Sequence, residues 1–377
     1  MKRRPVIGIT MGDPAGIGPE IALKAALDPD VQSRCHPVII GSIPVLEALN
    51  EQLSLGARLV RCGGVRLTEY GTGRPVRADS GSSPGPNPSS TPSASSSPLF
   101  HKAPGPSPEV SVLDLANCTP ADFTFGQVSE ACGRAAYEYI ERAVKLAMAG
   151  HLQAVVTAPI HKVSLNLSGV PHPGHTEIFA ALTGARDCAM MLVCGNLKVS
   201  HVTTHVALSE VPRRIQRERV LRVIRLTHDA LRRMGIANPR LAVAGLNPHS
   251  GEGGLFGDEE EREIRPAVMD AQREGILADG PVPGDSVFVK ALAGQYDAVV
   301  AMYHDQGHIP VKLLGFQVDS QSGAWTAVTG VNVTLGLPIV RTSVDHGVAF
   351  DIAGKGIARH ESMLEAVHLA VDMAGNG

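Results

Sequence analysis

Three apolar runs of this sequence each finish in a histidine: KVSHVTTH at His205, LAVAGLNPH at His249 and DAVVAMYH at His304. Neutral imidazole is a common ligand for zinc and similar divalent metals, and three such ligands leave a coordination position open for chemistry. One histidine in such a place is more often a cap or a core residue; three in equivalent places reverse that and point to a metal. Two cations sit in segments that are otherwise Gly-rich and apolar: Lys312 in YHDQGHIPVKLLGF, and Arg341 in GVNVTLGLPIVRTSVDHG, with Asn332 upstream. Such side chains supply the charge-assisted hydrogen bonds that a phosphate or carboxylate needs. Taken singly, each is also explained as a solvated surface charge. In PHPGHTEIF, His175 and Thr176 stand beside a Gly where a helix beginning near Glu177 would add backbone donors for an anion.

These groups need elements to hold them. Candidate strands are Val6–Thr10, Pro37–Ile40, Ala154–Ala158, Met190–Val193, Lys198–Thr203, Leu241–Leu246, Ala298–Met302 and Ile339–Thr342. Continuous apolar runs of this kind suit strands covered on both faces. Helical patterns lie between them at Pro19–Leu27, Ser129–Met148, Val211–Met234 and Asp258–Glu274; in the second, Cys132, Ala136, Tyr139, Ile140, Ala143, Val144 and Ala147 form a core stripe. Alternation of strand and helix predicts an α/β fold with largely parallel sheets. In such folds ligands bind beyond the carboxyl ends of strands, where the three histidines fall. The opening MGDPAGIGPE is a tight strand-to-helix turn and not G-x-G-x-x-G, so a Rossmann pyrophosphate site is not supported. Ser80–Pro98 holds nine Ser and five Pro, and is expected to be a disordered surface insertion.

The chain has 377 residues, which favours two or three domains. A net charge of −3 leaves no electrostatic footprint for nucleic acid. No apolar run reaches the ~18 residues of a membrane span, and the start is too weakly apolar for a signal peptide, so a cytoplasmic location is expected. The six cysteines include no C-x-x-C pair, which argues against a disulfide framework or a Cys-type zinc site.

GDPAGIGPE, TAPIHK, GHTE, TTH, GLNPHSGEGG, MYHDQG and GVN-TLGLP-RTSVDHG, in this order, resemble the 4-hydroxythreonine-4-phosphate dehydrogenase family of vitamin B6 synthesis. The resemblance runs from about Val6 to the C-terminus, apart from the Ser/Pro insertion. It implies two α/β/α domains around a central cleft: residues 1–165 with 310–377 on the cofactor side, and 166–309 with the metal and the dimer interface. It implies a homodimer whose divalent metal is held by His205, His249 and His304 and shared across the interface. Zinc is the first choice, with magnesium, manganese or cobalt as alternatives. His175, Thr176, Lys312, Asn332 and Arg341 match positions that contact substrate. A second likeness, of HGVAFDIAGKGIA to the adenosine-binding loop of isocitrate and isopropylmalate dehydrogenases, implies a nicotinamide pocket lined by His346, Gly347 and Asp351. Asp351 as a ribose acceptor suits NAD over NADP.

The activity so implied is oxidation of a secondary alcohol followed by loss of CO₂ from a 4-phosphorylated hydroxy acid, with 4-phosphooxy-L-threonine as the expected substrate. Asp285, Asp305 and Lys162 are candidate proton acceptors, and the sequence does not choose among them. Between Phe316 and Val331 the chain carries QVDSQSGAWTAVTG, which reads as a small hairpin around Trp325. It resembles a longer version in relatives acting on D-threonate or D-erythronate 4-phosphate, the alternative substrates. Three histidines and a phosphate site would by themselves also serve a metal-dependent hydrolase or phosphatase.

Overall fold

Runs of Val, Ile and Ala with no polar face form strands that are buried on both sides. The computed structural model describes residues 4–62, 108–320 and 325–375, with the backbone alone at 325–327; the segment Ser80–Pro98 lies outside them. The strands are β1 (Val6–Thr10), β2 (His36–Gly41), β3 (Arg58–Arg61), β4 (Glu109–Asp114), β5 (Ala154–Thr157), β6 (Ala189–Cys194), β7 (Leu197–His201), β8 (Arg240–Ala244), β9 (Leu277–Val282), β10 (Ala298–Ala301), β11 (Phe316–Val318), β12 (Trp325–Val328), β13 (Val331–Leu335) and β14 (Val340–Val344). Twelve of them make one sheet in the order β3-β4-β2-β1-β5-β14-β13-β6-β7-β10-β8-β9. The α/β fold is therefore as expected, but its sheets are joined. β13 is antiparallel to β14 and to β6, and β6 is antiparallel to β7, while the remaining pairs are parallel.

Three reversals between β14 and β7 decide where side chains emerge. The exits of β1, β5 and β14 lie at one edge of the sheet, and those of β7, β8 and β10 at the other. Strands β6 to β10 belong to residues 166–309, and β13 and β14 of the C-terminal segment fill the seam between β5 and β6. β11 pairs antiparallel with β12 as the hairpin expected around Trp325.

Helices cover the sheet. Ser129 caps the helix Glu130–Met148, its Oγ accepting from Cys132 N at 3.3 Å, and the predicted stripe through Tyr139 and Ile140 is fully buried. Each such side chain contributes about 1.5–3 kcal/mol through removal from water. The predicted helix Val211–Met234 divides into Val211–Arg214 and Arg217–Arg233, because Ile215 turns extended and buries its side chain. Asp258–Glu274 becomes a wide turn, Glu260–Ile264, followed by Arg265–Arg273. Pro266 explains the change of pitch, since it cannot donate to the carbonyl four residues back. YHDQGHIPVKLLGF, not among the expected helices, forms the helix His304–Gly315 with Pro310 inside. Gly307 lets it lie close: a Cβ there would meet His201 Nε2 at 2.3 Å. Among the described residues no helix is long and apolar enough to cross a membrane.

Candidate functional site

Polar side chains from β13, β14 and the helix that begins in GHTE gather beside Thr157, the last residue of β5. Arg341, on β14, is 2 % exposed; its Nη2 donates to Thr157 Oγ1 at 2.7 Å and its Nη1 to Thr334 Oγ1 at 3.0 Å. Its guanidinium lies 5.5 Å from the Phe179 ring, and its Nε has no partner among the described residues. Burial lowers its pKa to about 9, opposed by Glu177, which leaves it charged at neutral pH. His175 and Thr176 open the helix His175–Thr183. Burial first, and the Arg341 charge second, hold the His175 imidazole well below its usual range, so it is neutral. Its Nε2 and the Oδ1 of Asn332 are buried without partners among the described residues. Buried polar atoms normally find a partner. Three orphans in one region therefore mark where a polar ligand would complete the set.

Lys162, His175, His346 and Gly347 line the cavity of about 220 Å³ beside these groups, together with Thr157 and Ser343. Burial pulls the His346 imidazole down as well, and its Nδ1 lies 3.1 Å from the Gly347 carbonyl oxygen. Asp351 stands exposed four residues further on. Lys312 reaches this edge from the far end of its helix, donating to Asp345 Oδ2 at 2.6 Å and to Asp345 O at 3.1 Å, over the Phe316 ring. The β1 exit closes the floor. Asp13 Oδ1 accepts from Ala15 N at 2.9 Å, and burial raises the pKa of this carboxyl. Gly12 is required here, since a Cβ would meet Pro159 O at 2.4 Å. The His161 ring stacks on Phe350 at 4.6 Å, tying the TAPIHK turn to the loop after β14.

At the opposite edge the histidines are more open. His205, past β7, and His249, past β8, are exposed, while His304 begins its helix half-buried. The His205 and His304 rings lie 5.8 Å apart. His304 Nδ1 lies 2.6 Å from Asp305 Oδ1, so that carboxylate can hold its N–H and turn Nε2 outward. His249 lines a groove of about 540 Å³ with Asp285, Tyr303 and Asp305, and Tyr303 and Asp305 also line the pocket of His205 and His304. Paired imidazoles backed by a carboxylate are suitable donors for a zinc-type ion. Within one chain the set is unfinished: among the described residues no three His, Cys, Asp or Glu side chains are grouped to hold a metal.

The sequence reading passed over several participants. Thr157 and Asp345 lie in quoted motifs: Thr157 lines the cavity and accepts from Arg341, and Asp345 accepts from Lys312. His201 is fully buried in β7, and its ring lies 4.7 Å from that of His308, which stacks on His304 at 3.6 Å. The spacing of His304, His308 and Lys312, four apart, was the available signal for one helical face.

Comparison with known proteins adds independent information. A family model described as pyridoxal phosphate biosynthetic protein PdxA matches residues 33–370. A Bradyrhizobium diazoefficiens protein, provisionally named D-threonate 4-phosphate dehydrogenase, is 48% identical over 98% of this chain and 96% of its own length. A Geobacter metallireducens protein named 4-hydroxythreonine-4-phosphate dehydrogenase is 43% identical over 98% of this chain and 96% of its own. The crystal structure of 4-hydroxythreonine-4-phosphate dehydrogenase from Klebsiella pneumoniae superposes with a TM-score of 0.77 at 39% identity, covering 98% of both chains.

Proposed function

Because this chain belongs to the PdxA family of pyridoxal phosphate biosynthetic proteins, we propose that it is a nicotinamide- and divalent-metal-dependent dehydrogenase that oxidises and decarboxylates a hydroxy acid phosphorylated at C4. The observation that carries this reading is that Arg341, His175 and Asn332 keep buried polar atoms unpartnered among the described residues, with His175 lining the cavity of about 220 Å³. When bound, the nicotinamide supplies a hydride acceptor and the metal supplies Lewis acidity.

The chain's own residues do the rest. Arg341, charged and desolvated, holds an anionic group of the substrate, and Lys312 adds a second cation at the same edge. Neutral His175 and the Asn332 amide give hydrogen bonds without adding charge. Together they orient the reacting carbon toward the pocket of His346 and Gly347, with Asp351 at its outer rim as the ribose acceptor favouring NAD. Among the proposed proton acceptors, Lys162 lines this cavity, whereas Asp285 and Asp305 face the histidine groove.

His205, His249 and His304 would hold the metal, zinc first, with a second copy of the chain completing the site. Exposed Leu208, Leu255, Phe256, Ile309 and Leu313 around these histidines support such a homodimer.

The reading names 4-phosphooxy-L-threonine as substrate, in line with the Geobacter relative. A second reading, D-threonate 4-phosphate or its erythronate isomer, is favoured by two observations: the Bradyrhizobium relative and the β11–β12 hairpin next to Lys312 and Asn332. The substrates differ at C2, amino against hydroxyl, where a site built to bond one group discriminates strongly. Incubating the three acids with NAD or NADP and each of Zn²⁺, Mg²⁺, Mn²⁺ and Co²⁺ tests this. Reduced nicotinamide with one acid at much higher kcat/KM identifies the branch. Release of inorganic phosphate without reduction would instead make the protein a hydrolase.

A further inference from the structure

The turn that carries His249 is wound against the ordinary hand. From His249 to Gly253 every φ is positive, at 51, 54, 79, 46 and 69°, and three of the five residues are not glycine. Left-handed backbone costs a non-glycine residue roughly 1–2 kcal/mol, so the surroundings must hold it there. Glu260 lies beneath the turn, 0% exposed. Its Oε1 accepts from the backbone N–H groups of Leu246 and Asn247, at 2.7 Å each, and its Oε2 from the Asn247 side-chain amide at 2.9 Å. Glu259 accepts from the same amide at 2.7 Å. Gly251, inside the turn, packs so tightly that a Cβ would meet Glu260 Oε2 at 2.9 Å. Glu260 also opens the wide turn Glu260–Ile264, which aims it back at the β8 exit.

We propose that Glu260 is the positioning residue for His249: by anchoring Leu246 and Asn247 it fixes the left-handed turn and so the direction of the imidazole. This rests on the reading of His249 as a metal ligand. A carboxylate suits the task because both of its oxygens accept, whereas a glutamine would set an amide donor against the Asn247 amide.

The test uses the whole chain, stripped of metal, titrated with Zn²⁺ by calorimetry and with Co²⁺ by visible absorption, which reports coordination geometry. H249A is the control for the underlying reading, and zinc binding equal to wild type in that variant would refute the ligand assignment itself. Given loss in H249A, E260Q is expected to weaken Zn²⁺ binding by about 10- to 100-fold, the usual effect of removing a group that orients a ligand. The Co²⁺ spectrum should change and the melting temperature stay near wild type. Wild-type affinity and spectrum in E260Q would overturn the proposal, as would weakening matched by a general loss of folding. Should E260Q not fold, Asn247→Ala removes the side-chain link alone and is expected to shift the Co²⁺ spectrum the same way, an unchanged spectrum counting against the proposal.

Discussion

Around Arg341 on β14 the polar groups are buried, paired with one another and still short of partners among the described residues; at the exits of β7 and β8 the histidines stand exposed on turns. Arg341 is held by two threonines and an aromatic ring within one chain. His205 and His304 approach each other, but among the described residues no third metal-ligating side chain is grouped with them. One region is preorganised by the fold within a single chain. The other leaves the imidazoles of His205 and His249 on open turns, a metal site only under the function proposed above. Burial is the difference: a desolvated guanidinium must be satisfied in place, whereas an exposed imidazole can wait in water for a ligand.

If that contrast holds, damage to the two regions will look different. The largest effect is expected at the exposed edge. Replacing His205 or His304 with Ala should abolish metal binding and nearly all activity while leaving the melting temperature close to wild type. Elemental analysis after dialysis checks this, and stoichiometric metal in either variant would remove the assignment. Arg341→Met should lower kcat/KM by roughly 10³-fold, in the range for removing one partner of a buried charged contact. Unlike the histidine variants it should also destabilise the protein, by about 1–3 kcal/mol, since Thr157 and Thr334 lose a buried donor. Steady-state kinetics with urea unfolding measure both, and an unchanged stability would break the comparison.

The smallest effect concerns pH. His201 is buried and neutral, its pKa pulled down to about 3, first by burial and then by the neighbouring histidines. Unfolded, it titrates near 6.5. Between these values the unfolded chain binds more protons, so stability is full above about pH 6.5 and falls as pH drops toward 3. The contribution is up to about 1.4 kcal/mol per pH unit. His201→Gln should flatten that acid limb, measured as unfolding free energy from pH 7 to 4. An identical slope would place the acid sensitivity elsewhere, with His175 the next group to examine.

Much of this was legible before the structure. β1, β2, β5, β6 and β10 were readable because a buried central strand is apolar from end to end, and the histidines were conspicuous because each follows such a run. β9 was not, since LADGPV carries a Gly-Pro step that usually closes a strand; it is tolerated because β9 is an edge. β13 was missed for a related reason, its polar Asn332 and Thr334 breaking the apolar run, the latter accepting from Arg341. The helix His304–Gly315 was hidden by Gly307 and Pro310, whose local cost is outweighed by packing against β7. The joining of two expected sheets into one depends on strands far apart in sequence, and no local pattern reports that. The left-handed turn at His249 is likewise set by Glu260, eleven residues further along the chain.

His304, His308 and Lys312 ride on one helix, so the distance between the histidine edge and the cationic edge is set by backbone and not by loops. Eight residues at about 1.5 Å each make roughly 12 Å. The helix acts as a ruler, pressed against β7 by the missing side chain of Gly307. What can stretch is the stem of Lys312, tethered at its tip to Asp345. Adapting this scaffold to a longer or shorter acid would therefore be a matter of changing the side chain at 312, because sliding the helix would misplace both ends at once.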